Sequence, residues 1–209
     1  MTGNETAPTP GEQGSSNLLL RVIAAAVLAP LAIAIAYVGG PLWGALVTLV
    51  VIGLYVEWLT IVGLAGEMRA MIPGIAALAG TGICLIVARI EVALTILAIG
   101  VVVIALITPQ RRGWAVSGFG YAAVAEIASI LLRFDAAQGF AALIFVLLVV
   151  WVTDIGGYFA GRGIGGPKLW PRVSPKKTWA GAIGGFALGL AVAAGFAAFD
   201  LGRSGTLLV

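Results

Sequence analysis

Apolar residues run along this chain in long blocks, not in alternation. Short stretches between the blocks hold most of the proline and charge. A helix rises 1.5 Å per residue, so about 20 apolar residues cross ~30 Å of hydrocarbon. The blocks predict membrane-spanning helices at about 18–38, 42–63, 70–88, 92–108, 114–132, 138–154 and 179–199. The charge-free run from Val22 to Val56 is too long for one crossing. Gly39-Gly40-Pro41 divides it, because glycine and proline together end a helix. Met1 to Asn17, rich in Gly, Pro, Thr and Ser, reads as a disordered tail ahead of a transmembrane domain at 18–209. The expected fold class is all-α: a polytopic membrane protein of about seven spans. A cleaved signal peptide competes for the first span, but the tail before Arg21 carries Glu5 and Glu12 and no basic residue. A signal peptide wants a positive n-region.

Composition narrows the function classes. The chain is 61% hydrophobic and only 10% charged, with mean hydropathy +1.10. A soluble domain carries about 25% charged residues, and disorder needs high charge with low hydrophobicity. Both are excluded. Cys84 is the one cysteine and there is no histidine. That removes disulfides within the chain, CxxC metal sites, the Ser-His-Asp triad and the HExxH zinc site.

The placement of charge orients the spans. With seven crossings, one side receives Arg21, Arg69, Arg111, Arg112, Arg162, Lys168, Arg172, Lys176 and Lys177. The other receives Arg89, Arg133 and Arg203. Basic residues collect in cytoplasmic loops, so the N-terminus is expected inside and Val209 outside. The location that follows is the inner (plasma) membrane.

The segment 155–177 differs from the other connections. It holds Gly156, Gly157, Gly161, Gly163, Gly165 and Gly166, five basic residues and no acid. Asp154 stands at its entrance. Glycines let backbone N–H groups approach an anion, and Lys and Arg supply charge. Ser174-Pro175-Lys176-Lys177-Thr178 leads into the last span, and a helix N-terminus favours phosphate. Topology alone would explain the charge but not the glycines. The spacing is not that of a Walker A loop, because Pro167 separates Gly166 from Lys168. In the last span Gly181, Gly185, Gly189, Ala193 and Ala197 recur every fourth residue. Such a stripe lets another helix pack closely, and its Gly181/Gly185/Gly189 face also offers a homodimer contact.

These residues carry a resemblance. Trp151-x-x-Asp154-x-Gly156-Gly157-Tyr158-Phe159-x-Gly161-Arg162, then Lys168-Leu169-x-Pro171-x-Val173-Ser174-Pro175-Lys176-Lys177-Thr178-Trp179-x-Gly181 and Gly184-Gly185, resemble the phosphatidate cytidylyltransferase (CDP-diacylglycerol synthase) family. Tyr55, Glu57 and Trp58 look like that family's cluster in the second span. The chain departs from the pattern at Ala180, where the family usually has an acid. The acidic signature near the family's C-terminus also has no match before Val209. The chain is therefore expected to be an N-terminal portion or truncated form, inactive on its own.

The resemblance implies attack of the phosphatidic acid phosphate on the α-phosphorus of CTP, with Mg²⁺ as cofactor. Pyrophosphate leaves and CDP-diacylglycerol forms. Such a step needs positioning and charge neutralisation. The expected catalytic residues are Asp154, Lys176 and Lys177. Ser174, Thr178, Arg162, Lys168 and Arg172 are expected on substrate phosphates, and Asp154 and Glu57 on metal. The partners are CTP, phosphatidic acid and membrane lipid, with no nucleic acid. Acids inside a bilayer are costly, and Glu57 divides evenly between a place at that cavity and a structural pairing. Glu126, far from the basic segment, reads as structural. A multi-span transporter or a non-catalytic membrane subunit stays open as the alternative.

Overall fold

The computed structural model describes Ile23 and residues 26–199. The tail at 1–17 lies outside these described residues. Among these described residues seven α-helices follow one another, and six of them are long and apolar enough to cross a membrane: this is a multi-pass, all-α membrane protein. The first, α1 (Ala26–Val38), is shorter as described and forms part of a compact unit of its own.

The second unit, from Gly39 onward, holds α2 (Gly40–Ile61), α3 (Met68–Ile86), α4 (Ile90–Ile107), α5 (Arg112–Phe134), α6 (Gly139–Gly163) and α7 (Trp179–Ala198). Gly39 and Gly40 adopt φ of 68° and 56°. Only glycine reaches that region easily, so the predicted break at Gly39-Gly40-Pro41 is where one helix ends and the next begins.

Helix α2 packs on α3 and α5, and α4 on α3 and α5. The buried side of α2 is one row, Trp43, Val47, Val51, Tyr55 and Leu59, at steps of four. Polar handles on that row fix its neighbours. Trp43 Nε1 donates to the Ser129 carbonyl of α5 (3.0 Å), Tyr55 Oη to the Ala70 carbonyl of α3 (3.0 Å), and Trp58 Nε1 to the Trp114 carbonyl (2.9 Å). Gly74 and Gly118 make room for the Tyr55 and Trp58 rings. Trp43 is buried, so it packs inside the bundle and does not sit at the membrane surface, where tryptophan often anchors a helix.

Glu126 of α5 is fully buried. Thr48 Oγ1 donates to its Oε1 (2.8 Å), the structural role its distance from the basic segment suggested. At one end of the bundle Arg111 donates to the Val62 carbonyl (2.5 Å). This tethers the α4–α5 turn to the α2–α3 loop, two connections the alternating map puts on one side.

Helices α6 and α7 form the tightest helix pair, and α6 alone of the two packs substantially on α5. The connection between them is not the open loop expected from 155–177. Helix α6 continues to Gly163, about 14 Å past Asp154 at 1.5 Å per residue. An antiparallel hairpin follows, β1 (Lys168–Trp170) and β2 (Ser174–Thr178).

Candidate functional site

The α6–α7 seam is built from missing side chains. A Cβ on Gly181 would stand 2.7 Å from the Gly157 carbonyl oxygen, and one on Gly185 2.6 Å from that of Thr153. A Cβ on Gly184 would strike Ala160, and one on Gly156 would strike Leu188. Gly156 is accounted for by helix packing, while Gly157 and Gly161 also line the cavity at the seam's end. Gly165 and Gly166, with φ of 69° and 90°, serve the turn into the hairpin. Gly181, Gly185 and Gly189 all face α6 of the same chain. That face is occupied and does not serve as the expected homodimer contact.

Where the seam reaches the hairpin, the helices and strands line an open cavity of about 650 Å³. Asp154, Tyr158 and Arg162 line it from successive turns of α6, at steps of four on one face. Lys168 comes from β1, and Lys176, Lys177 and Thr178 from β2. The base of the hairpin is tied down by the Trp179 N–H, which donates to the Pro167 carbonyl (3.1 Å). Thr178 caps α7, its Oγ1 accepting from the Gly181 N–H (3.2 Å). Arg162 Nη1 donates to Tyr158 Oη (3.2 Å), one turn apart.

Six sequence-predicted residues are thus brought together: Asp154, Arg162, Lys168, Lys176, Lys177 and Thr178. Three are not. Ser174 pairs with Trp170 in the hairpin and does not line the cavity. Arg172 is exposed in the turn. Glu57 is exposed on α2, off the buried row of Tyr55 and Leu59, and α2 packs on α3 and α5 while α6 packs on α5 and α7. Glu57 therefore does not join Asp154. Thr153 and Tyr158 line the cavity without having been singled out as site residues. The signal for Tyr158 was the four-residue step from Asp154 to Arg162, legible only if the helix is extended past Asp154; Thr153 had no such signal.

Four cations meet one acid here. Among the described residues none of Lys168, Lys176 and Lys177 forms an ion pair, so their charge is uncompensated and suits a polyanion. A resident Mg²⁺ does not fit this set. Among the described residues no three His, Cys, Asp or Glu side chains come together, and Asp154 is one carboxylate among cations.

The model of the cytidylyltransferase family matches residues 19–206. The chain belongs to the cytidylyltransferase family. A phosphatidate cytidylyltransferase of Brucella suis is 39% identical over 182 residues, covering 84% of this chain and 66% of the relative. That of Brucella melitensis is 39% identical over 178 residues, 82% of this chain and 64% of the relative. One from Pseudomonas aeruginosa is 53% identical over 45 residues, 22% of this chain and 17% of its own. The chain spans about two thirds of the length of the Brucella relatives it matches. No solved structure matches it.

Proposed function

We propose that this family member is a phosphatidate cytidylyltransferase and that the α6–hairpin–α7 cavity is its phosphate site. A phosphate oxygen of phosphatidic acid attacks the α-phosphorus of CTP. The bond from that phosphorus to the bridging oxygen breaks, pyrophosphate leaves, and CDP-diacylglycerol remains in the membrane. The observation that carries this reading is the convergence of Arg162, Lys168, Lys176 and Lys177 on one cavity with a single acid, at the end of two membrane helices. Both substrates are polyanions and one is a lipid, so a cationic cavity opening beside the bilayer suits both.

Lys176 and Lys177 neutralise the phosphates, Thr178 donates its hydroxyl, and Arg162, steadied by Tyr158, holds a second phosphate edge. Asp154 is the one carboxylate beside these cations. Magnesium enters as part of the nucleotide substrate. The positive-inside asymmetry supports a cytoplasmic N-terminus and hairpin, in the inner membrane, where CTP is made. Helices α6 and α7 are unbroken, unlike the discontinuous helices of transporter sites.

The test is retention of radiolabelled CTP by the purified chain in lipid nanodiscs. We expect saturable binding that Lys176→Ala/Lys177→Ala abolishes and that added phosphatidic acid modulates. No binding, or binding indifferent to both lysines, would overturn the assignment.

A further inference from the structure

Large apolar side chains stand exposed at the hairpin tip and at the end of α6. Trp170 is 64% exposed, Val173 75% and Ile164 77%. None of them lines the cavity, and Arg172 beside them is exposed as well. Among the described residues most other exposed Leu and Val lie on membrane helices, where lipid covers them. These residues come after α6 ends and beyond Arg162, so a span does not account for them. Apolar surface left in water is costly, and a cluster of it marks a contact.

The tip is also held in shape. The Val173 N–H donates to the Trp170 carbonyl (3.1 Å), with Pro171 at the second position of the turn, where its fixed φ suits it. The hairpin joins the adjacent ends of two antiparallel membrane helices, so it sits at one membrane face.

We propose that the hairpin tip lies in the headgroup layer and that its partner is an anionic lipid surface. Tryptophan favours that depth, and Arg172 matches a lipid phosphate. No acid between Ile155 and Lys177 opposes the contact. One short hairpin then divides its labour. Lys168, Lys176 and Lys177 serve the cavity, while Trp170, Arg172 and Val173 hold the bilayer. This contact does not depend on cytidylyl transfer.

The experiment uses the full chain with Cys84→Ser, carrying one nitroxide label at Val173→Cys, Ile164→Cys or Gln110→Cys. Gln110 is an exposed residue of the α4–α5 turn. The protein is placed in nanodiscs of phosphatidylcholine with or without phosphatidylglycerol. Relaxation by oxygen reports the bilayer, and relaxation by a water-soluble nickel chelate reports solvent. In anionic discs the oxygen-to-nickel ratio at 173 and 164 should exceed that at 110 by about threefold or more, as for an interfacial segment. It should fall in neutral discs and with Arg172→Glu. A nickel-dominated signal at both positions, or a depth indifferent to headgroup charge, would overturn the proposal.

Discussion

At the residue scale, position relative to the cavity separates side chains that the sequence alone could only group by charge. Lys176 and Lys177 line it and Arg172 does not. A charge-assisted contact is worth about 1.5–3 kcal/mol, roughly tenfold to a hundredfold in affinity. Lys176→Ala and Lys177→Ala should each weaken CTP retention by that order with the helical circular dichroism unchanged. Arg172→Ala should leave it within about twofold, because its screened charge outside the site adds little. Equal losses at all three positions would mean that net charge, not the cavity, binds the nucleotide. Glu126→Gln makes the opposite control. It keeps an acceptor for Thr48 and lies outside the cavity, so nucleotide retention in the same assay should not change.

At the element scale, the α6–α7 pair turns on backbone approach. Gly185→Ala would press a methyl against the Thr153 carbonyl. Overpacking of this kind costs about 1–3 kcal/mol. Gly195→Ala, on the same helix with nothing within 4 Å of its Cβ, should be neutral or stabilising by up to ~1 kcal/mol, since alanine favours helix. Unfolding of the two variants in mixed detergent micelles reads the contrast, and equal midpoints would remove the packing argument.

This pair also shows what was legible beforehand. The step-of-four stripe in the last span marked a close partner, and the Gly-Gly-Pro break marked the end of the first block. The overrun of α6 to Gly163 was not legible, because Ile155 to Gly163 contains four glycines and has poor intrinsic helix propensity. Tertiary contact with α7 holds that stretch helical. The outward direction of Glu57 was readable from the Trp43–Leu59 row, which excludes it. The hairpin was not, since Lys-Leu-Trp and Ser-Pro-Lys-Lys-Thr carry no strong strand pattern.

At the scale of the whole molecule, the alternating map pairs connections by side, and the Arg111–Val62 tether agrees with two of them sharing one. In the Cys84→Ser background, cysteine at Gln110 should resist an impermeant thiol reagent in intact cells, and cysteine at Ala136 should react. The reverse labelling would invert the topology. The cavity's content leads to a second expectation. Cations that grip a ground-state phosphate as firmly as a transition state lower no barrier, and Asp154 is the one acid among them. The 209-residue chain should therefore bind CTP yet form CDP-diacylglycerol far more slowly than a full-length relative assayed beside it. Comparable rates would show that these helices suffice for catalysis.

The glycine seam beneath the cavity has one more consequence. Packed side chains can hop between rotamers, and ordering them upon binding costs entropy. Glycines have no rotamers to lose. The floor beneath Asp154 and Thr178 is set by two backbones in direct touch, so the proposed phosphate site has little side-chain freedom to lose there on binding. Whatever adaptation the site retains must come from the long arms of Lys168, Lys176 and Lys177 above it.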